Sequence, residues 1–232
     1  MQENIINLLN INKINYKNIE IYNQAFVHRS YINENPRFEM GHNERLEFLG
    51  DSVLELIVTD FLYKKYPHHA EGDLTSYRAA LVNTHSIGEV AESLGFNDYL
   101  KLSKGESKDV KSRARLSILA DTYEAILGAI YLDVGYEECV AFVSRTLLPN
   151  TDSIVKGGLF KDPKSHVQEK SQEKYQLTPV YKVLDESGPD HNKIFLIGIY
   201  FGDKQIAKGE GNSKQLAESD AAKNAIKKEG WL

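Results

Sequence analysis

At 232 residues and 41% hydrophobic content, the chain has room for one large domain or two ordinary ones with buried cores. Its one cysteine, Cys139, excludes an internal disulfide framework and points to a reducing compartment, and no run reaches the roughly 20 apolar residues of a membrane span. The net charge of −5 looks unfavourable for a nucleic-acid partner but decides nothing alone, and the start, MQENIINLLNINKINYKN, lacks the apolar core and cleavage site of a secretion signal, so an unprocessed cytoplasmic protein is expected.

Ile5 to Leu9 is a short apolar patch of one or two helical turns. Asn23 to Tyr31, NQAFVHRSY, reads as a helix with Ala25, Phe26 and Val27 inward and with His28 and Arg29 as its polar exit. Asn33 to Gly41, rich in Asn and holding Pro36, is a loop. It leads into Asn43 to Pro67, NERLEFLGDSVLELIVTDFLYKKYP, where Leu46, Phe48, Leu49, Val53, Leu54, Leu56, Ile57, Val58, Phe61 and Leu62 leave almost no polar stripe. That pattern predicts a central core helix. Glu44, Glu47 and Asp51 fall at steps of three and four and stack along one face of it. Like carboxylates held together in a low dielectric cannot all stay ionised unless a cation or donors compensate them.

After Pro67, the adjacent His68 and His69 read as a solvated loop, and Glu71 stands at the mouth of that loop. Leu74, Tyr77, Leu81 and Val82 recur at helical spacing, and Ser86 to Leu94 is a further amphipathic helix that stops at Gly95. Leu102 to Arg115, LSKGESKDVKSRAR, is a polar loop with a basic end. Leu116 to Asp133, LSILADTYEAILGAIYLD, is a second almost wholly apolar helix, with Asp121 and Glu124 one turn apart and Gly128 allowing close approach of another helix.

Two core helices that each carry acids at a one-turn repeat can face each other and assemble Glu47, Asp51, Asp121 and Glu124 into a cage of oxygen donors. No His lies three residues after any of these acids and no Cys is near, which leaves an all-oxygen set suited to Mg²⁺ or Mn²⁺. These ions commonly share their coordination with substrate phosphate, so hydrolysis of a phosphate ester or anhydride is the expected chemistry.

Composition shifts after Leu148. The chain is expected to divide into an all-α domain over 1–150, a Gly-Gly-containing linker over 151–161 and a second domain over 162–232. Residues 161–232 carry twelve Lys and no Arg against eleven acids, a net of +1, while residues 1–160 have a net of −6. Asp162-Pro163 gives an N-cap followed by Pro at the first helical position. Alternating runs at 180–186, 194–201 and 205–211 predict three strands, the second and third joined by a tight turn at Gly202-Asp203. Ser213 caps a last helix with Leu216, Ala217, Ala221, Ala222, Ala225 and Ile226 inward. The order α-β-β-β-α is a small α+β module.

His42 to Leu54, HNERLEFLGDSVL, and Leu119 to Asp133, LADTYEAILGAIYLD, resemble the two signature segments of bacterial ribonuclease III, in that order. The tail, with DPKSHVQE, GPDH and GEGNSKQLAESDAA, resembles the double-stranded RNA-binding domain that follows them in that family. The resemblance implies a multidomain protein: an all-α catalytic domain, then the α+β module. It implies hydrolysis of phosphodiesters in double-stranded RNA to 5′-phosphate and 3′-hydroxyl ends, in the processing of ribosomal and messenger RNA precursors. Glu47, Asp51, Asp121 and Glu124 would hold the divalent metal, with Asp51 and Glu124 counted as catalytic and with Glu44 and Glu71 near the cut site.

Duplex RNA is recognised through minor-groove 2′-hydroxyls and phosphates. By the same resemblance, Gln168 and Glu169 meet one minor groove and Gly188, Pro189, Asp190 and His191 enter the next. Lys214, at a helix N-terminus, meets phosphate. The family commonly has two consecutive lysines at that point, whereas this chain has Lys214-Gln215, which should weaken binding and flatten its salt dependence. One chain holds one cage, and cutting both strands of a duplex needs two, so a homodimer is expected; the family is dimeric, leaving short 3′ overhangs. Two rival readings are an all-α Mg-dependent nucleoside-triphosphate pyrophosphohydrolase, against which the tail argues, and a non-catalytic binder of duplex RNA, against which the complete set of acids argues.

Overall fold

A computed structural model describes residues 2–108, 112–156, 162–189 and 193–231, and its backbone divides into two units, Met1–Val155 and Lys156–Leu232. The first is built from α1 (Gln2–Ile11), α2 (Ile19–Ala25), α3 (Arg29–Glu34), α4 (Glu44–Lys65), α5 (Glu71–Leu81), α6 (Thr84–Ser93), α7 (Lys104–Ser107), α8 (Arg113–Asp133) and α9 (Tyr136–Thr146), with single 3₁₀ turns at Phe96–Tyr99 and Leu148–Asn150. α10 (Thr151–Lys156) runs into the division between the units.

α8 is the axis of this unit. Ile118, Leu119, Ala120, Tyr123, Ala125, Ile126, Leu127, Ala129 and Ile130 are all buried because α4, α6, α9 and α2 pack around it on every side. A helix apolar on all faces is stable in water only when surrounded in this way. Ser112 caps its start by accepting the Arg115 N–H, and at its end the Asp133 carboxylate accepts the main-chain N–H groups of Lys17 and Asn18 and the Tyr22 hydroxyl.

Three sequence expectations are corrected here. No helix runs through 23–31: α2 stops at Ala25, Phe26 turns the chain, Val27 bridges Lys101 in parallel and His28 caps α3. Ala25, Phe26 and Val27 are buried as expected, but only Val27 is buried as extended backbone, the preference of a β-branched residue. Leu102 to Arg115 is not all loop, since α7 forms within it and α8 begins at Arg113. α4 is buried on one side only. Leu46, Val53, Leu54, Ile57, Val58 and Leu62 face α8 and its neighbours, whereas Phe48, 78% exposed, together with Leu56 and Tyr63, faces outward.

The second unit is α11 (Pro163–Tyr175), β1 (Pro179–Ser187), β2 (Ile194–Phe201), β3 (Lys204–Gly211) and α12 (Lys214–Glu229), the order read from the sequence. The strands form one antiparallel sheet in the order β1-β2-β3, with Val180 opposite Tyr200 and Leu196 opposite Glu210. Asp162 and Ser213 cap the two helices as expected. Val167, Ile199, Phe201, Ile206, Ala221, Ala222, Ala225 and Ile226 form the core. Small residues on α12 let it lie directly on β3: a Cβ at Gly209 would fall 2.0 Å from the Ala221 nitrogen. Leu216 departs from expectation. It is 52% exposed, at the rim of that close contact rather than within it.

Candidate metal centre and nucleic-acid interface

The main chains of α4 and α8 touch through two glycines. A Cβ at Gly50 would stand 1.7 Å from the Glu124 carbonyl oxygen, and one at Gly128 would stand 2.2 Å from the Leu46 carbonyl oxygen. Gly128 was legible as a point of close approach; Gly50, inside the acidic signature itself, was not. This reciprocal contact brings Glu47, which lies between Leu46 and Gly50, against Asp121 and Glu124. One carboxylate oxygen from each of the three lies within 4.8 Å of the others.

The electrostatics are those of acids crowded together and withdrawn from water. Burial, with the charges of Asp51, Asp121, Glu47 and Glu55 behind it, pushes the Glu124 carboxyl up to about 8. Burial and then the charges of Asp121, Glu44 and Asp51 push Glu47 up to about 7. Asp121 is pushed up to about 6, again chiefly by burial. Three half-buried oxygen donors with no nitrogen or sulfur among them fit a hard divalent cation, which would offset this repulsion.

The remaining acids are placed unequally. Asp51 follows Glu47 by one turn and raises its neighbours by its charge, but its side chain is exposed and stands outside the group of three. Glu44 opens α4, 3.4 Å from Arg29 Nη1 and 3.7 Å from His42 Nδ1. Its charge reaches both Glu47 and Asp121. Glu71 is not brought to this site. It starts α5, accepts a hydrogen bond from Thr75 Oγ1 at 3.0 Å and lines a groove with Tyr63 and Arg78. Tyr63 lies sixteen residues beyond Glu47 on α4, roughly 24 Å along the axis.

Glu47 and Asp121 open onto a cleft of about 910 Å³ whose other walls include His28, Arg29, Glu44 and Glu106. Two structural residues here were not foreseen. Asn43, in the N-cap slot of α4, does not cap it; its buried amide donates to the Ala25 carbonyl and so ties α4 to α2. Arg115, also buried, donates to the Glu106 carbonyl at 2.6 Å and holds α7 against the start of α8.

In the second unit Gln168 and Glu169 are exposed on α11, and Gly188, with φ of +89°, leads with Pro189 out of β1. Asp190 and His191 lie outside the described residues. Lys214 and Gln215 open α12 on its exposed face. Lys214 Nζ lies 3.2 Å from Glu186 Oε1 and 5.5 Å from the centre of the Phe195 ring, and Glu186 also faces Lys193 at 3.7 Å. An exposed pair of this kind contributes little, about 0–1 kcal/mol, so a phosphate can take the lysine from it.

The family model for ribonuclease-III-like domains matches residues 18–151, and that for the double-stranded RNA binding motif matches 163–229. Ribonuclease 3 of Listeria monocytogenes is 43% identical over 215 residues, covering 92% of each chain. Ribonuclease 3 of Borreliella burgdorferi is 42% identical over 214 residues, covering 92% of this chain and 86% of its own. A solved nuclease domain of ribonuclease III from Campylobacter jejuni, described for flexibility in a region involved in dimer formation, aligns with a TM-score of 0.55 at 36% identity. It covers 62% of this chain and 95% of its own.

Proposed function

The chain belongs to the ribonuclease III family and is an endoribonuclease of double-stranded RNA, and from this premise we propose that Glu47, Asp121 and Glu124 hold its metal as Mg²⁺, for which Mn²⁺ can substitute. The observation that supports this reading is the convergence of three carboxylates from α4 and α8, each with its pKa raised. When bound, the cation supplies activation of the attacking water and stabilisation of charge on the leaving 3′ oxygen.

The protein's own groups do the rest. Asp51, exposed one turn beyond Glu47, is the fourth carboxylate available to the cation and, with Glu124, is assigned to catalysis. Glu44 is turned toward Arg29 and so shapes the cleft wall without entering the group of three. In the second unit Gln168 and Glu169 take one minor groove, and the segment that begins at Gly188 and Pro189 and continues through Asp190 and His191 takes the next. Lys214 with Gln215 sits at the phosphates between them. Processing of ribosomal and messenger precursors in the cytoplasm is the role this activity suits.

A homodimer completes the arrangement. Among the described residues each chain carries one acidic notch, and the outward Phe48, Leu56 and Tyr63 on α4 are the apolar surface that a second copy would cover. Glu71, a helix length from its own chain's notch, joins a cut site only if a partner brings it there. The test is incubation of an RNA duplex with Mg²⁺, with chelator, and with a DNA duplex of the same sequence. Cleavage only of RNA and only with the ion is expected; equal cleavage of DNA overturns the reading.

A further inference from the structure

We infer that His28 contacts the substrate directly, its Nε2–H donating a hydrogen bond to an oxygen of the RNA backbone in the cleft beside the acidic notch. The inference rests on the nuclease reading above and assigns a role to a residue outside the acidic set.

The ring is held in one tautomer by its own surroundings. Ser30 N–H donates to His28 Nδ1 at 3.3 Å, and Ser30 Oγ lies 2.8 Å from the same nitrogen. Ser30 Oγ itself accepts the Ser103 N–H at 3.0 Å, which leaves the hydroxyl proton to point at Nδ1. Nδ1 is therefore the acceptor and the imidazole carries its proton on Nε2. Burial, opposed by the charges of Glu106 and Glu44 and aided by Arg29 and His42, holds the ring below the ordinary histidine pKa and thus neutral.

The backbone beneath the ring is equally fixed. His28 N–H donates to the Lys101 carbonyl at 3.1 Å and Lys101 N–H to the Phe26 carbonyl at 2.9 Å, so the residue is clamped between two segments. From that position it lines the cleft shared with Glu47 and Asp121. A lysine or arginine in its place would be drawn onto Glu44 or Glu106 and would compete with the divalent ion for the acids. A neutral donor does neither. Its complement on a nucleic acid is a backbone oxygen, either a phosphate oxygen or a 2′-hydroxyl.

Two variants of the full chain test this. His28→Asn keeps an oxygen able to accept the Ser30 N–H, since Asn is a strong N-cap, but has nothing at the Nε2 position. His28→Gln places an amide N–H near that position and loses the cap. With Mg²⁺ and an RNA duplex, His28→Asn is expected to unfold at the parent's temperature yet cut roughly tenfold or more slowly in a single turnover, the loss of one hydrogen bond to the substrate. His28→Gln is expected to recover part of that rate. Single 2′-deoxy substitutions flanking the cut bond separate the two oxygens: one that slows the parent and not His28→Asn identifies a 2′-hydroxyl, and uniform effects on both proteins identify a phosphate oxygen. Parental cleavage by His28→Asn, or His28→Gln no faster than His28→Asn, overturns the inference. Failure of the parent to cut duplex RNA would strike the nuclease reading instead.

Discussion

Gly50 lies on the carbonyl of Glu124 so closely that no side chain fits between them, and the spacing of the acids depends on this contact. Gly50→Ala must push α4 off α8. Overpacking of this kind costs about 1–3 kcal/mol or more, which at roughly 2–4 °C per kcal/mol for a unit of this size lowers the unfolding temperature visibly. Cleavage should fall further than stability does, because the three carboxylates separate. Calorimetry and initial rates check both. Gly72→Ala, with nothing within 4 Å of the added carbon, should lower neither.

The raised carboxyls make the metal-free protein sensitive to alkali. Glu124, Glu47 and Asp121 ionise at about 8, 7 and 6 when folded, against ordinary values of 4.5, 4.5 and 3.8. Between these limits the folded protein holds protons that the unfolded chain has shed, so stability falls as pH rises through the window and levels off above it. Unfolding temperatures measured with chelator from pH 5 to 9 should show that decline. Excess Mg²⁺ should remove most of it by binding the ionised form. A metal-free protein that gains stability across this range would contradict the assignment.

Glu124→Gln separates the two consequences of the acidic notch. Removing one of three repelling carboxyls should raise the unfolding temperature of the metal-free protein at pH 8 and shrink the stabilisation by Mg²⁺. Cleavage of duplex RNA should drop by two orders of magnitude or more, in line with the loss of a group that supports transition-state charge. Equal cleavage by variant and parent would mean that the notch is idle.

Much of this was legible in the sequence. The acids stood out because their steps of three and four lay in runs otherwise apolar, and the second unit because its strand alternation and caps follow local rules. The break at Phe26 to His28 was not legible, since it depends on pairing with Lys101, more than 70 residues away. The outward face of α4 was missed for a related reason: an apolar residue looks the same whether its partner is its own core or a second molecule. The distance of Glu71 from the notch also depends on where α5 begins, which no motif shows.

In the second unit Lys214 is paired with Glu186, and a phosphate would have to draw it from that pair. Lys214→Ala should weaken duplex binding and reduce the slope of log affinity against log salt by about one. Glu186→Gln releases Lys214 from this pair and should tighten binding several-fold with a steeper slope. Titrations at four salt concentrations distinguish these outcomes from a loss of fold.

Phe48→Ala tests the outward face of α4. Exposed aromatic anchors dominate association energy when a partner buries them, so sedimentation should show the dimer constant weakened by tenfold or more. The thermal stability of the isolated chain should be little changed, because this ring has no core to leave.

The chain divides into two units, and among the described residues the smaller has a core of its own around Val167, Ile199, Phe201 and Ile226. Heat therefore need not disable the protein in one step. Should the duplex grip give way first, it would leave a blade without its handle, cutting where substrate is abundant but no longer seeking it out at dilution.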